Sequence, residues 1–324
     1  MQVTWAGSPD RVEARLVPEA GIPFDSFRIS GFPRRPGLAL VRALVRAAVS
    51  PLACLRILAR RQPDIVLGGG GYVAGPMVLA ARLRGIPAAL IESDAHLGLA
   101  NRLAAPFARR LFLAYPVEGR EGAKVRVTGR PIPARSRAAS VTRAAARELF
   151  GLPAEGPVLL VFGGSQGAHA LNELVAAEFG DNPSLAVLHL CGERDFATLS
   201  ARVSRPGYRL VAFTNDFGAA LAASDLAIAR SGGSVWEVAA AGVPAILVPY
   251  PYATADHQTK NARWFERGGG AVVVPEPELG RVPALVRELL ADPVRLAALR
   301  AGMLAQARPG AADAIAEELI ALAG

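Results

Sequence analysis

Short apolar segments alternate with amphipathic ones along the first part of the chain. The segments QVTWAG, PDIVLGGGG and PAALIES have the pattern of strands, whereas DRVEARLVPEAG and GPMVLAARLRG have the pattern of helices. Strands that alternate with helices predict a parallel sheet covered by helices. Ligands bind such sheets beyond the carboxyl ends of the strands, so functional groups are expected in the loops that follow strands.

The same alternation begins again after VRVTGRPIPARSRA, a connection rich in proline and arginine. Later strands are predicted in PVLLVFGG, AVLHLCG, YRLVAFTND, LAIARSGG and PAILVPYP. A chain of 324 residues is longer than one hydrophobic core usually supports. We therefore expect two α/β domains, residues 1–134 and 135–307, with a C-terminal helix at about 308–324 that packs back on the first domain.

The composition is that of a globular protein, because 52% of the residues are hydrophobic and only 20% are charged. The two cysteines, Cys54 and Cys191, lie far apart and lack the spacing of a disulfide framework or a zinc site. The first residues do not resemble a secretory signal peptide, and every apolar run is too short to span a membrane. These features predict a cytoplasmic protein without a bound metal.

The net charge of +8 is carried almost wholly by arginine. Such an excess suits nucleic acid, an anionic membrane surface or phosphorylated substrates. The chain has no zinc-finger spacing, no aromatic RNA-binding pattern and no evident basic recognition helix. We therefore expect no nucleic-acid partner.

The segment of residues 37–61 combines an apolar face with many arginines. Its arginines, with the two that precede it, are Arg34, Arg35, Arg42, Arg46, Arg56, Arg60 and Arg61. Basic amphipathic helices of this kind can lie in the interface of an anionic membrane. An arginine-rich surface helix that packs its apolar face on the sheet has the same pattern. Both interpretations stay open.

A glycine-rich turn follows the strand predicted in VLLVFGGSQGAHALNELV and leads into a helix. Its glycines, Gly163, Gly164 and Gly167, let the main chain approach a ligand, and free N–H groups at the helix start face that ligand. A diphosphate fits such a place, although an ordinary tight turn has the same sequence. A second glycine-rich turn, GGGGYVAGP, lies in the first domain.

A third loop, RSGGSVWEVAAAG, places Glu237 in the first turns of a helix. An acidic residue there can cap the helix or accept hydrogen bonds from both hydroxyls of a ribose. The polar loop ATADHQTKNA follows, and its His257, Gln258 and Asn261 suit the recognition of sugar hydroxyls, as they would a solvated loop.

Six stretches, in this order and spacing, resemble the MurG family of peptidoglycan N-acetylglucosaminyltransferases. They are GGGGYVAGP, GLANR, VTGRPIP, FGGSQGAHALN, RSGGSVWEVAAAGVPAILVPYP and DHQTKNA. The resemblance implies a GT-B fold, in which two Rossmann-like domains face each other across a cleft. It also implies an inverting transfer of GlcNAc from UDP-GlcNAc to a muramyl-pentapeptide pyrophosphoryl-undecaprenol, by a peripheral protein on the cytoplasmic face of the membrane.

The resemblance assigns the donor site to the second domain. By analogy, Ser165 and its turn contact the diphosphate, Thr214 the uracil and Glu237 the ribose, while Gln258 contacts the GlcNAc. The full set of implied donor-binding residues is Gly164, Ser165, Gln166, Thr214, Gly233, Ser234, Val235, Trp236, Glu237 and Gln258. No cofactor or metal is implied, because helix starts and loop donors stabilise the departing UDP.

Three departures from the family pattern concern the first domain and the connection. The chain begins where the family's second strand lies, so we expect the first domain to lack its usual first strand and helix, with their GGTGGH loop. The family's HEQN stretch is represented by Ile91, Glu92, Ser93 and Asp94. An arginine expected after the GNPV-like turn falls on Pro133, and Arg130 is the candidate for the missing phosphate contact.

The catalytic candidates that remain are Asp94, Glu92 and His96, with Asp94 first among them. For His96, a packing or loop role is the favoured interpretation. Two other functions stay open: transfer of a UDP-sugar to another lipid such as diacylglycerol, and binding of a UDP-sugar without turnover.

Overall fold

The computed structural model describes residues 2–29, 37–138, 141–164 and 167–324, without the side chains of residues 39–41, 44 and 47. The chain forms two compact units. The N-terminal unit comprises Met1–Thr128 and Asp313–Gly324, and the C-terminal unit comprises Gly129–Ala312. The sequence predicted the division after residue 134 and the returning helix from about 308; the compact units divide after Thr128, and the returning segment begins at Asp313.

The N-terminal unit contains two parallel sheets. One pairs β1 with β2, and the other has the strand order β3-β4-β5-β6. The strands are β1 (Trp5–Gly7), β2 (Phe24–Ser26), β3 (Val66–Gly68), β4 (Ala88–Glu92), β5 (Arg110–Leu113) and β6 (Val125–Val127). The connecting helices are α1 (Glu13–Glu19), α2 (Leu38–Arg61), α3 (Gly71–Leu83) and α4 (Leu99–Ala104).

The long helix α2 and helix α3 pack on the sheet through a shared core. That core contains Cys54, Leu58, Val78 and Leu90, all of which are buried. The burial of Cys54 raises the pKa of its thiol to about 12, so this cysteine is an inert packing residue.

The last helix, α13 (Ala311–Ala323), belongs largely to the N-terminal unit. Its Ile315 packs against Ala89 and Phe112 of the sheet. Its Glu318 accepts a hydrogen bond from Arg110 Nε at 2.7 Å and one from Arg126 Nε at 2.8 Å. These two guanidinium groups lower the pKa of Glu318, so the ion pairs form at neutral pH.

The C-terminal unit contains one six-stranded parallel sheet with the order β12-β11-β10-β7-β8-β9. Its strands are β7 (Val158–Phe162), β8 (Ala186–Leu190), β9 (Tyr208–Val211), β10 (Leu226–Ala229), β11 (Ala245–Leu247) and β12 (Ala271–Val273). The helices are α5 (Arg143–Leu149), α6 (His169–Phe179), α7 (Glu193–Ser200), α8 (Phe217–Ala222), α9 (Val235–Ala240), α10 (His257–Arg267), α11 (Val282–Ala291) and α12 (Pro293–Gln306).

Every residue of β7 and β8 is buried, as expected for central strands covered on both faces. The helices contribute Leu171, Val175 and Phe179 from α6 to the core that covers these strands. Side-chain caps fix two helix starts, since Thr142 accepts from Ala145 N and Asp292 accepts from Arg295 N. The buried centre of the unit therefore lies directly beneath the loops that follow β7, β8 and β10.

No helix in the described part of the chain is both long and apolar enough to cross a membrane.

Candidate functional site

The strand order of the C-terminal unit changes direction at β7. The chain runs from β7 to β8 and β9 on one side, and then returns to place β10 on the other side of β7. Phe162 is the register partner of Ala229, so the loops after β7 and β10 start beside each other. Open parallel sheets bind ligands at such a switch point, because two neighbouring loops diverge there.

A cavity of about 210 Å³ lies at this switch point. Four of the residues that the sequence assigned to the donor site line it: Gly164, Thr214, Ser234 and Glu237. The other lining residues are Arg135, Ser136, Phe162, Leu190, Ala212, Phe213, Asn215 and Phe217. Phe162 and Phe217 meet edge to face, with ring centroids 5.1 Å apart, and give the cavity an apolar wall.

The glycine-rich turn after β7 uses glycines at positions that need a left-handed backbone. Gly164 has a φ of 86° and Gly167 a φ of 70°, and Gly167 N donates to Gly164 O at 2.9 Å. Ser165 and Gln166, which the sequence assigned to the diphosphate, lie outside the described residues.

Glu237 lines the cavity from the first turn of α9 and lies near two arginines. Burial raises the pKa of its carboxyl above the usual value, while a hydrogen bond with Ser136 and the charges of Arg130 and Arg135 act in the opposite direction. A half-buried carboxylate with two cations nearby can accept hydrogen bonds from the paired hydroxyls of a ribose.

Arg130 lies against the loop that follows β10. A Cβ on Gly233 would be 1.9 Å from Arg130 Nη1 and 2.2 Å from Arg130 Cζ, so the guanidinium rests directly on the glycine main chain. Pro133 precedes the short 3-10 helix Ala134–Ser136, whose Arg135 and Ser136 line the cavity. Two arginines of this connection thus stand close to the position where the sequence expected one.

The segment that follows β9 closes another side of the cavity. Thr214 Oγ1 accepts a hydrogen bond from Asp216 N at 3.0 Å, which holds the turn ahead of α8. Phe213 is 56% exposed at the edge of the cavity, where a flat aromatic ligand could stack on its ring.

Four predicted donor residues are outside the lining of the cavity, namely Gly233, Val235, Trp236 and Gln258. The side chains of Val235 and Trp236 are buried, and the Trp236 ring packs edge to face on Phe265 at 5.4 Å, so their contacts to a ligand in the cavity would come from the main chain. Gln258 lies in the first turn of α10, and its Oε1 accepts a hydrogen bond from Tyr250 N at 2.9 Å.

The loop after β4 in the N-terminal unit is organised by Glu92. Its Oε1 accepts from Ser93 N at 3.0 Å and from Asp94 N at 3.3 Å. Its Oε2 accepts from Gly98 N at 2.9 Å and from Asn101 Nδ2 at 3.0 Å. With four donors, the buried carboxylate of Glu92 fixes the loop, whereas Asp94 and His96 are half-buried on it.

Sequence reasoning missed Arg135, Ser136 and Phe213 as lining residues of the cavity. The first two stand in the connection that was interpreted as a domain boundary, and Phe213 directly precedes Thr214 in a stretch that the family pattern did point to. No group of three His, Cys, Asp or Glu side chains suited to a metal ion occurs among the residues that the structure describes.

The glycosyltransferase family 28 N-terminal domain matches residues 1–113, and the family 28 C-terminal domain matches residues 158–316. A protein of Halothermothrix orenii named UDP-N-acetylglucosamine–N-acetylmuramyl-(pentapeptide) pyrophosphoryl-undecaprenol N-acetylglucosamine transferase is 36% identical, over 91% of this chain and 84% of that protein. A protein of the same name from Halorhodospira halophila is 40% identical, over 97% of this chain and 88% of that protein.

The crystal structure of Acinetobacter baumannii MurG superposes with a TM-score of 0.79 at 29% sequence identity, covering 98% of this chain and 90% of that one. The prediction of a GT-B fold with two α/β domains and parallel sheets is therefore confirmed. The chain is a glycosyltransferase of family 28 and belongs to the MurG family.

Proposed function

We propose that this protein transfers GlcNAc from UDP-GlcNAc, with inversion, to a muramyl-pentapeptide pyrophosphoryl-undecaprenol. The names of the relatives in H. orenii and H. halophila support the reaction. The observation that carries the proposal is that Gly164 and Glu237, from the loops after β7 and β10, line one cavity at the switch point of the sheet.

Each part of the donor has a matching surface in or beside this cavity. The uracil lies against Phe213 and Thr214, and the two ribose hydroxyls donate to the carboxylate of Glu237. The diphosphate lies at the glycine-rich turn and the start of α6, and Arg130, whose guanidinium lies against Gly233 of the loop after β10, supplies the positive charge. The GlcNAc contacts Gln258, which is held by its bond to Tyr250 N.

The proposed reaction uses no cofactor or metal ion. The leaving group is UDP, and the charge that develops on its phosphate is stabilised by main-chain N–H groups at the start of α6 and by Arg130. The start of α6 follows the central strand β7, every residue of which is buried.

The acceptor side is proposed to lie at the loop after β4. Glu92 is committed to four donors within that loop, so it acts as a positioning residue. Asp94 and His96, which are half-buried on the same loop, are the candidates for contact with the acceptor hydroxyl, and Asp94 is preferred as the base.

We also propose that the protein binds the cytoplasmic surface of an anionic membrane through helix α2. Val45, Val49 and Leu52 are between 54% and 57% exposed and follow one another at helical spacing. Arg42, Arg46 and Arg56 are exposed along the same face. An exposed stripe of apolar and basic side chains suits the boundary between acyl chains and anionic head groups.

The other arginines predicted for this membrane surface contribute less to the proposal. Arg61 Nε donates to Asp25 Oδ2 at 2.7 Å, and Arg60 is ion-paired with the same carboxylate. Arg34 and Arg35 lie outside the described residues.

The reaction is tested with UDP-GlcNAc labelled in the sugar and two acceptors, a muramyl-pentapeptide pyrophosphoryl lipid and diacylglycerol. We expect label to pass only to the muramyl lipid. Transfer to diacylglycerol alone would contradict the proposed acceptor. Binding of UDP-GlcNAc with no transfer to either acceptor would contradict the proposed activity. Label from UDP-glucose transferred more efficiently than label from UDP-GlcNAc would contradict the proposed donor.

A further inference from the structure

A buried chain of polar side chains runs through the C-terminal unit beneath the glycine-rich turn. His189, the fourth of the five residues of β8, is fully buried between Tyr208 of β9 and Asn172 of α6. His189 Nδ1 lies 2.8 Å from Tyr208 Oη, and His189 Nε2 lies 2.9 Å from Asn172 Oδ1. Buried polar groups are costly unless all are satisfied, so a linked set in a core indicates a specific role in fixing geometry.

The donor and acceptor of each hydrogen bond in this network follow from the two bonds that the Asn172 amide group donates. Asn172 Nδ2 donates to Cys191 O and to Asp195 Oδ2, both at 2.8 Å, so Asn172 Oδ1 must face a donor. Burial lowers the pKa of His189 to about 4, so its ring is neutral at neutral pH. The single ring proton is therefore on Nε2 and points at Asn172, while Nδ1 accepts from the Tyr208 hydroxyl.

Asn172 reaches the turn through one carbonyl. Cys191 O, which accepts from Asn172 Nδ2, also supports Gly167, because a Cβ on Gly167 would lie 2.2 Å from that oxygen. The main chain at Gly167 thus lies against the carbonyl that Asn172 holds.

Asp195, at the other end of the network, ties the start of α6 to the start of α7. Its carboxylate accepts from Asn172 and lies 3.3 Å from His169 Nδ1 and 3.2 Å from Arg194 Nε. Burial opposes its ionisation, but the hydrogen bonds from Asn172, Arg194 and His169 outweigh burial and lower the pKa of Asp195. The first turn of α6 is therefore anchored to a charged group beneath it.

We propose that Asn172 and His189 are positioning residues for the diphosphate of the donor. This inference rests on the proposed function, which places the diphosphate at the glycine-rich turn and the start of α6. Asn172 holds the Cys191 carbonyl under Gly167 and links α6 to Asp195, and His189 holds Asn172 in the orientation that does both. The nucleoside end of the donor meets Phe213, Thr214 and Glu237. The hydrogen bonds described for Thr214 and Glu237 are with Asp216 N and Ser136, which are not members of the network.

Two substitutions of one residue separate this role from simple loss of stability. In His189→Gln the side-chain amide can still donate to Asn172, whereas in His189→Asn the shorter amide can meet only Tyr208. Both variants break one of the two bonds of a buried histidine, so their losses of stability should be similar. Only His189→Asn releases Asn172 from its orientation.

The experiment measures the dissociation constants of UDP and of uridine for the full-length protein, at a temperature where every variant is folded. His189→Asn and Asn172→Leu should weaken UDP binding about tenfold, the effect of one lost charge-assisted hydrogen bond, with uridine binding unchanged. His189→Gln should stay within about twofold of the wild type for both ligands. Steady-state assays should show the same order in KM for UDP-GlcNAc.

The inference is overturned if His189→Gln and His189→Asn weaken UDP binding equally, or if UDP and uridine binding fall in parallel. Tyr208→Phe provides a second test, because it breaks the bond to His189 Nδ1 and leaves the bond between His189 and Asn172 in place. This variant should leave the ratio of the dissociation constants of UDP and uridine unchanged. If the wild type binds neither UDP nor UDP-GlcNAc, the proposed function fails instead, which keeps the two failures distinguishable.

Discussion

The guanidinium of Arg130 lies against the main chain of Gly233. A Cβ added to Gly233 would be only 1.9 Å from Arg130 Nη1. Gly233 does not have a positive φ, so its backbone would accept an alanine. An alanine at position 233 would displace the guanidinium end of the flexible Arg130 side chain. This displacement should cost little stability, but it would move a positive charge away from the proposed diphosphate.

Gly233→Ala and Arg130→Ala should therefore have the same effect. We expect each to raise KM for UDP-GlcNAc about tenfold, the contribution of one hydrogen bond to a charged group, with little change in the melting temperature. The double variant should be no worse than either single one, because both remove the same contact. Additive effects would mean that Arg130 is not held at Gly233 in the working enzyme.

Glu237→Gln should separate donor binding from stability. Burial raises the pKa of Glu237, so its contribution to stability is complete below the usual value and is lost as the pH rises through the raised value. Glutamine does not ionise, and the variant should be at least as stable as the wild type at pH 7. Its affinity for UDP should fall about tenfold or more.

Thermal unfolding and titration calorimetry, each at pH 7, test this prediction together. A variant that is clearly less stable, or one that binds UDP as the wild type does, would contradict the role given to Glu237. As the pH falls, the affinity of the wild type for UDP should also decline. The decline should begin at a higher pH than it would for a carboxyl group of ordinary pKa, because the pKa of Glu237 is raised.

His189 should make the protein sensitive to acid. The folded state keeps the ring neutral down to a pKa of about 4, whereas the unfolded chain binds a proton near 6.5. The free energy of unfolding should fall by about 3 kcal/mol between these values because of His189 alone. Denaturant titrations across this range measure the free energy of unfolding of the wild type and of His189→Gln. The two free energies should converge as the pH falls. If they instead change in parallel with pH, the ring is not buried as a neutral group.

The loop after β4 assigns different roles to two neighbouring acids. Glu92→Gln replaces an accepting oxygen with a donor that would face other donors, so we expect a loss of stability of about 1–3 kcal/mol. Asp94→Asn should leave the melting temperature nearly unchanged and lower kcat. Chemical denaturation and single-turnover transfer assays measure the two effects, and a stable but inactive Glu92→Gln would reassign catalysis to Glu92.

Helix α2 should bind vesicles of phosphatidylglycerol better than vesicles of phosphatidylcholine. Replacing both Val49 and Leu52 by glutamate should abolish this binding, because both side chains are more than half exposed on the proposed membrane face. Val294→Glu, at a position 81% exposed in the C-terminal unit, is a control for an acidic substitution of an exposed apolar residue. Vesicle sedimentation measures all three proteins, and unchanged binding of the α2 variant would exclude this face.

The sequence predicted the alternation of strands and helices well, because strands such as β7 and β10 are continuous apolar runs that end at glycine-rich loops. Roles for Gly164 and Glu237 could be inferred from the glycine-rich turn and the helix start, whereas the role of Thr214 depended on the resemblance. The structure places all three on one cavity. How the strands are ordered could not be read from the pattern, since the position of β10 beside β7 depends on contacts between distant segments.

Other features of the site could not be predicted from the sequence, because they depend on contacts that form only in the folded chain. The packing of Arg130 on Gly233 joins residues far apart in sequence, and arginine in a connection has the same local pattern whether it is solvated or bound. His189 gave one available signal, a lone histidine within the buried strand AVLHL, but its partners Asn172 and Tyr208 come from other elements. The four hydrogen bonds of Glu92 likewise required the folded loop.

A crystal structure of the protein with UDP bound would show whether the switch-point cavity of the C-terminal unit holds the donor nucleotide. We expect the ribose hydroxyls within hydrogen-bond distance of Glu237, the uracil beside Phe213 and Thr214, and the phosphates between Gly164 and Arg130. Uridine density outside this cavity, or a ribose turned away from Glu237, would contradict this placement.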